Sequence, residues 1–189
     1  MTLSLFWQLL FYGWSASEIL VGIATRTKHS SGKVRDRGSL LILWIVIATS
    51  ITACQWISEA NRPNMFGGAH ALKTAGVFIM LVGLAIRWTA IFTLGKSFSS
   101  NVAIQDAQQI TRMGLFRFVR HPSYLGLLLV FLAIGVLSRN WIRLAVVLLP
   151  TTAALLYRIH VEEIALAEAF GDHYVAYSKA TKRLVPWVY

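Results

Sequence analysis

The amino-acid sequence predicts an all-α polytopic membrane protein with about five transmembrane helices. Of its 189 residues, 56% are hydrophobic and only 14% are charged, whereas soluble domains carry about 25% charged residues. The mean hydropathy is +0.59, and the apolar residues form runs near the length of about 20 residues that a helix needs to cross the hydrocarbon. A membrane domain therefore fits the composition better than a soluble core does.

Four apolar stretches give five predicted crossings. The first three lie at residues 3–24, 39–57 and 74–94, and each is long enough for one crossing. The fourth stretch, residues 124–157, is too long for one helix and is interrupted by the turn-forming Ser-Arg-Asn of residues 138–140. We therefore expect a tight helical hairpin there, then a helix that leaves the membrane, and a short helix after Gly171.

The basic residues fall mainly on one side of this predicted topology. If the N-terminus is outside, 13 of the 18 Lys and Arg residues lie in cytoplasmic segments, Arg87 lies within the third helix, and four lie outside: Arg62, Lys73, Arg139 and Arg143. Cytoplasmic loops of membrane proteins collect Lys and Arg, so we expect a cytoplasmic C-terminus. Topology and contact with membrane lipids then explain the net charge of +10, and nucleic acid is not an expected partner.

Several common kinds of site lack their sequence signatures. Cys54 is the single cysteine and lies in an apolar run, which excludes an intramolecular disulfide, a multi-cysteine zinc site and an iron–sulfur cluster. No histidine has metal-ligand spacing, so no metal is expected. GxGxxG, GxxxxGK and GxSxG patterns are absent, so soluble dinucleotide, P-loop and serine-hydrolase enzymes lack their motifs.

The densest cluster of polar residues lies at the predicted cytoplasmic start of the fourth helix and contains Arg120, His121, Pro122 and Tyr124. Proline suits the first turn of a helix. The free N–H groups of that turn and the helix dipole favour an anion, and Arg120 and His121 add donors. Two interpretations stay open: a site for a carboxylate or phosphate, or a basic helix start with Tyr124 as an interfacial anchor.

A second cluster, Arg158, Glu162 and Glu163, lies where the fifth helix emerges. Arg158 and Glu162 are four residues apart, so one interpretation is that they pair with each other. Ionisable groups at the membrane edge are costly without a partner or a ligand, so the other interpretation is a site for a zwitterion such as an amino-acid-like ligand. Two charges lie inside apolar runs. We expect Glu18 to face another helix or water, and Arg87 to form a cation–π pair with Trp88 or a helix–helix contact, with a ligand role for Arg87 as the alternative.

Two ordered motifs resemble the isoprenylcysteine carboxyl methyltransferase family. Residues 114–126 read GLFRFVRHPSYLG and are similar to the family's GxYxxxRHPxYxG stretch, with Phe116 where the family commonly has Tyr. Further on, the Glu-Glu of residues 162–163, FGDHYVAY at 170–177 and RLVP at 183–186 resemble the family's EE…FGxxYxxY…RxxP ending, which related phospholipid methyltransferases share. The resemblance covers residues 95–189.

The resemblance implies a methyltransferase that uses S-adenosylmethionine on a lipophilic acceptor. It implies a methyltransferase core over residues 95–189, with the hairpin at 124–157 and cytoplasmic C-terminal helices that cover a cofactor pocket. Residues 1–94, where hydropathy predicts three N-terminal transmembrane helices, precede this core. By motif position, the implied cofactor-binding residues are Gln108, Ile110, Thr111, Phe116, Arg120, His121, Pro122, Tyr124 and Glu162. The implied catalytic residues are Arg158, Glu162 and Glu163, with Arg158 facing the acceptor.

The chemical class of the acceptor stays open. Arg158 would orient a carboxylate oxygen, whereas an amine or thiol would need a base, which Glu162 or Glu163 would supply. An apolar tail would enter sideways from the bilayer. The alternative functions are a membrane NADPH-dependent reductase of the sterol-reductase type, a phospholipid N-methyltransferase, and a small transporter or assembly factor.

Overall fold

The computed structural model describes residues 3–25, 32–34, 38–57, 68–99, 103–105 and 109–186. Within these ranges the helices are α1 (Leu3–Ala24), α2 (Ser39–Trp56), α3 (Ala69–Leu94), α4 (Pro122–Leu137), α5 (Trp141–Phe170) and α6 (Asp172–Ala180). Two short strands, β1 (Gly32–Val34) and β2 (Ala103–Gln105), pair antiparallel with Gly32 opposite Gln105. Apart from this ladder and two short 3-10 turns at Gly95–Ser97 and Gly114–Arg117, the fold is α-helical, as the sequence predicts.

The helices follow the predicted apolar runs closely. The bounds of α1 are those predicted, α2 ends at Trp56, and α3 begins at Ala69 rather than at residue 74 because its polar first turns continue the helix beyond the apolar run. Among the described residues, α2, α3 and α5 are long and apolar enough to cross a membrane. The protein is therefore a multi-pass membrane protein.

A tight turn joins α4 to α5, as predicted at residues 138–140. Arg139 adopts a left-handed conformation with φ of 53°. The Asn140 side chain caps α5 by accepting hydrogen bonds from the backbone N–H groups of Ile142 at 2.9 Å and Arg143 at 3.1 Å. The two helices differ in length, since α4 has 16 residues and α5 has 30.

Two glycines bring α3 and α4 into backbone contact. A Cβ atom on Gly126 would lie 2.6 Å from the carbonyl oxygen of Gly83 and 2.7 Å from the backbone nitrogen of Arg87. Small residues at such crossings let membrane helices approach closely. Around this crossing α2 packs on α5 and α4 on α5, and one apolar core includes Trp14, Leu43, Met80, Phe131 and Leu155.

The outward faces of the long helices are apolar. Large exposed side chains include Leu41, Ile45, Phe78, Phe92 and Leu149. Contiguous apolar surface of this kind is rare on soluble monomers, whereas lipid tails accept it without cost. The packing therefore fits the membrane location that hydropathy predicts.

Candidate active site

A cavity of about 280 Å³ lies between the helices. Polar residues line one end of it, and apolar residues line the other. Its polar end is formed by Arg120, His121, Tyr124, Arg158 and Glu162. Its apolar arm is formed by Leu40, Leu43, Trp44, Ile47 and Ile51 of α2 with Trp14 and Ile19 of α1. From residue 40 to residue 51, α2 rises about 16 Å, so the arm leads well away from the polar end.

Backbone pairing fixes the start of α4 at the polar end. The N–H groups of Arg120 and His121 donate to the carbonyl oxygens of Lys182 at 2.8 Å and Arg183 at 3.1 Å, and the Lys182 N–H donates to Phe118 at 3.0 Å. Residues 181–186, which we name the C-terminal strap, therefore hold the segment before α4. Pro122 is the first residue of α4, as predicted.

A hydrogen-bonded chain crosses the polar end from α2 to α5. The Tyr124 hydroxyl donates to Oε2 of Glu162 at 2.7 Å and accepts from Nε of Arg158 at 3.0 Å. Nη1 of Arg158 donates to the hydroxyl of Ser39 at 3.0 Å, at the first turn of α2. Tyr124 thus lies between Arg158 and Glu162, which are four residues apart on one face of α5.

Glu163 has different partners from Glu162. Its carboxylate accepts from Nε of Arg120 at 2.9 Å and lies 2.7 Å from Nη2 of Arg183. Nη1 of Arg120 also donates to the carbonyl oxygens of Ser178 at 2.7 Å and Thr181 at 2.6 Å. Arg120 and Glu163 therefore join α5 to the C-terminal strap.

The short helix α6 covers the polar end. Gly171, with φ of 52°, allows the sharp break between α5 and α6, because L side chains rarely adopt that conformation. Tyr177 donates to the carbonyl oxygen of Phe116 at 2.7 Å, and burial raises the pKa of Tyr177 to about 12 while Arg120 lowers it in part. Burial also raises the pKa of Tyr174, so both phenols stay neutral at physiological pH.

Two buried polar atoms beside the cavity have no hydrogen-bond partner among the described residues. They are the Tyr174 hydroxyl and Nε2 of His121, and both residues line the cavity. Nε2 of His121 lies 3.4 Å from Oε1 of Glu163 but without hydrogen-bond geometry. Buried polar groups are nearly always paired, so these two atoms are candidates for hydrogen bonds to a ligand in the cavity.

Comparison with known proteins gives the family of this site. The model of the isoprenylcysteine carboxyl methyltransferase (ICMT) family matches residues 75–168. Protein-S-isoprenylcysteine O-methyltransferase A of Arabidopsis thaliana is 30% identical over 186 residues, which is 96% of this chain and 90% of the relative. The chain belongs to the ICMT family. It is an ICMT-like membrane methyltransferase, and the family implies that a methyl donor binds; the comparisons do not favour a reductase.

Other relatives of this ICMT-family protein differ in the acceptor that their names state. Protein-S-isoprenylcysteine O-methyltransferase B of Arabidopsis thaliana is 27% identical over 189 residues, covering 97% of this chain and 92% of the relative. Methanethiol S-methyltransferase 1 of Bradyrhizobium diazoefficiens is 38% identical, but over 73 residues that cover 39% of this chain and 25% of the relative. The likeness to isoprenylcysteine enzymes therefore extends over far more of the chain.

Most of the site residues predicted for this ICMT-family protein line the one cavity. They are Ile110, Thr111, Phe116, Arg120, His121, Pro122, Tyr124, Arg158 and Glu162. Gln108 lies outside the described residues, and its neighbour Gln109 lines the cavity. Glu163 is not one of the lining residues and lies behind them, against Arg120 and Arg183. Their roles in binding and catalysis stay predictions.

Sequence reasoning missed other residues of the cavity. Tyr174 and Tyr177 belong to the motif quoted above, yet they received no role. Of the alternatives left open for Glu18 and Arg87, the structure shows a helix–helix contact between them, and both residues also line the cavity. The apolar arm had no chemical signal, because its residues are ordinary membrane-helix side chains.

Proposed function

We propose that this protein transfers a methyl group from S-adenosylmethionine to the polar head of a lipophilic acceptor. The observation that carries the proposal is the single cavity that joins a hydrogen-bonding polar end to an apolar arm. A methyl donor with an amino-acid end fits the first part, and a hydrocarbon tail fits the second. A soluble acceptor would have no use for the apolar arm.

The residues of the polar end suit the methyl donor. Glu162 offers a carboxylate to an ammonium group, and the unpaired atoms of His121 and Tyr174 offer hydrogen bonds to its polar atoms. Ile110, Thr111, Phe116 and Pro122 supply wall contacts beside them. When bound, S-adenosylmethionine supplies a sulfonium methyl group, which an acceptor lone pair takes as the carbon–sulfur bond breaks and its electron pair stays on sulfur.

The acceptor that fits best is a carboxylate on a lipid-modified cysteine. Arg158 lines the cavity between Tyr124 and Ser39, so its guanidinium can orient a carboxylate oxygen. Two relatives whose alignments cover 96% and 97% of this chain, at 30% and 27% identity, are named for isoprenylcysteine O-methylation. Holding the oxygen in line with the methyl group and excluding water are then the main catalytic tasks, and no base is needed for an ionised carboxylate.

We propose that α1, α2, α3, α4 and α5 all cross the membrane, with the N-terminus outside and the active site cytoplasmic. The excess of Lys and Arg on one side supports this orientation. Within this topology, residues 1–94 form three N-terminal transmembrane helices and residues 95–189 form the methyltransferase core. In a Cys54→Ala background, single cysteines at Trp141 and Lys179 should react with an impermeant maleimide from opposite sides of sealed vesicles. Labelling of both from one side would contradict the crossing count.

The proposal is tested by titrating S-adenosylhomocysteine into detergent-purified protein. Wild type should bind it, and Glu162→Gln should bind roughly tenfold more weakly because a charge-assisted contact is lost. The matched control is Glu168→Gln, an exposed residue of the same helix, which should bind as wild type does. Methyl transfer to N-acetyl-S-farnesylcysteine should accompany binding. If wild type instead binds NADPH and ignores S-adenosylhomocysteine, the proposal is wrong.

A further inference from the structure

A buried ion pair joins α1 to α3 in the wall of the cavity. Arg87 donates from Nε and Nη2 to the two carboxylate oxygens of Glu18, and Nε1 of Trp14 donates to the same carboxylate at 3.1 Å. Glu18 is 9% exposed and Arg87 is 7% exposed. Both line the cavity, yet neither belongs to the motifs or to the polar end.

The third contact of Arg87 reaches the first turn of α4. Nη1 donates to the hydroxyl of Ser123 at 2.8 Å and to its carbonyl oxygen at 3.2 Å. Ser123 directly precedes Tyr124, whose hydroxyl meets Arg158 and Glu162. One guanidinium therefore connects the α1 wall of the apolar arm to the helix turn that carries the polar end.

Stability alone does not account for this pair. Replacing a buried ion pair by apolar side chains of similar volume is often neutral or stabilising, and ionisable groups within membrane helices usually serve function. Apolar contacts already attach α1 to the bundle, since the Trp14 ring meets the Phe131 ring edge-on at 5.7 Å. What the pair adds is a fixed geometry, because a guanidinium that binds a carboxylate with two nitrogens sets distance and orientation together.

We propose that Glu18 and Arg87 are positioning residues for the methyl acceptor. Through the pair, α1 is held at a set distance from α3 and from the first turn of α4, which carries Tyr124. The apolar arm then fits the acceptor tail, and the acceptor head meets Arg158. The inference rests on the proposed function. It assigns the pair to the acceptor because Glu18 and its partner Trp14 lie on α1 beside the apolar arm, whereas the proposed donor contacts are His121, which directly precedes α4, Glu162 on α5 and Tyr174 on α6.

The decisive variant replaces the pair by apolar residues, Glu18→Met together with Arg87→Met. This change removes both charges at once, so no buried charge is left unpaired. Glu18→Gln is the second variant, because it keeps the shape of the side chain and its contact with Trp14. The control is Thr151→Val, which removes a fully buried hydroxyl of α5 that bonds only its own helix and does not line the cavity.

Four quantities are measured for each purified protein: the dissociation constant of S-adenosylhomocysteine, kcat and KM for methylation of N-acetyl-S-farnesylcysteine, and the melting temperature. We expect KM for this acceptor to rise about tenfold in the double variant and about threefold in Glu18→Gln, with S-adenosylhomocysteine affinity within about twofold of wild type. KM for N-acetyl-S-methylcysteine, which has no hydrocarbon tail, should change little in these variants, because this acceptor does not occupy the apolar arm. Thr151→Val should match wild type in all four quantities.

The outcomes separate this inference from the function on which it rests. An unchanged acceptor KM in the double variant, with wild type active, overturns the inference alone. So does a loss of S-adenosylhomocysteine affinity in step with the rise in KM, because the pair would then merely hold the whole site together. If the double variant does not fold, the same criteria apply to Glu18→Gln. A wild type that neither binds S-adenosylhomocysteine nor methylates the acceptor overturns the proposed function and this inference with it.

Discussion

The hydroxyl of Tyr124 donates a 2.7 Å hydrogen bond to Oε2 of Glu162, although the two residues lie 38 positions apart. Each belongs to one of the two motifs that carry the family resemblance, the first at the start of α4 and the second on α5. The bond brings these motifs together at the polar end of the cavity. It also leaves the phenol oxygen as the acceptor of Nε of Arg158 at 3.0 Å.

Removal of this hydroxyl should therefore disturb two neighbours at once. In Tyr124→Phe, the partly exposed Glu162 loses a donor and the buried Arg158 loses one of its acceptors, and a hydrogen bond to a charged group contributes about 1.5–3 kcal/mol. We expect kcat/KM for methyl transfer to fall by roughly tenfold to a hundredfold while the fold persists. The control is Tyr157→Phe, a tyrosine of α5 that is 41% exposed and does not line the cavity. Equal activities of the two variants would show that the Tyr124 hydroxyl has no role in positioning.

The helices and the start of the site were predictable from local sequence. Apolar runs give helix bounds because a membrane helix must satisfy its own backbone groups. Pro122 marks the start of α4 and residues 138–140 mark the hairpin because proline and turn residues act over a few positions. The clusters around His121 and Glu162 could be found because charges and rings at a helix end are conspicuous among apolar residues.

Features made by distant backbone or by ordinary apolar side chains were not predictable. The pairing of Val119 with Lys182 uses backbone groups that every residue except proline carries. The identity of the side chains therefore does not predict it. The apolar arm uses leucine, isoleucine and tryptophan, which any lipid-facing helix would also contain. Glu18 and Arg87 were visible as charges within apolar runs, but their pairing across 69 positions depends on how α1 and α3 pack.

An added methyl group at the crossing of α3 and α4 should lower the stability of the protein. In Gly126→Ala the new Cβ would lie 2.6 Å from the carbonyl oxygen of Gly83, so the helices must separate, and such overpacking costs about 1–3 kcal/mol. The matched change Gly13→Ala places a Cβ with nothing within 4 Å on exposed α1 and should be neutral or stabilising by up to about 1 kcal/mol. Unfolding of both variants in mixed micelles measures the difference. Equal stability would mean that this crossing is looser than the structure indicates.

Stability should decline at high pH in a way that depends on Tyr177. Burial raises the pKa of this phenol to about 12 from an ordinary value of about 10. Its neutral form is therefore favoured by folding, and that contribution is complete below pH 10 and is lost as the pH rises from 10 through 12. Melting temperatures of wild type, Tyr177→Phe and the exposed-site control Tyr12→Phe, taken from pH 8 to 11.5, test this. Wild type and the control should fall more steeply above pH 10 than Tyr177→Phe does; parallel curves for all three would exclude Tyr177 as a cause.

Substitutions of the two neighbouring carboxylates of α5, Glu162 and Glu163, should have different effects on stability and on ligand binding. Glu163 is bound by Arg120 at 2.9 Å and Arg183 at 2.7 Å, and a carboxylate between two guanidinium groups is a poor base, so we expect its contribution to be structural. Glu163→Gln should lower the free energy of unfolding by about 2 kcal/mol, since a partly buried charge pair loses one partner, yet the folded fraction should methylate the acceptor within about threefold of wild type. Glu162→Gln should show the reverse, with near-normal stability and weakened S-adenosylhomocysteine binding. Unfolding titrations and activity per folded molecule, measured side by side, check both. A folded Glu163→Gln protein with roughly hundredfold lower activity would instead indicate that Glu163 is a catalytic base. Such a loss corresponds to about 2.7 kcal/mol of transition-state stabilisation, which a change in folding stability would not explain.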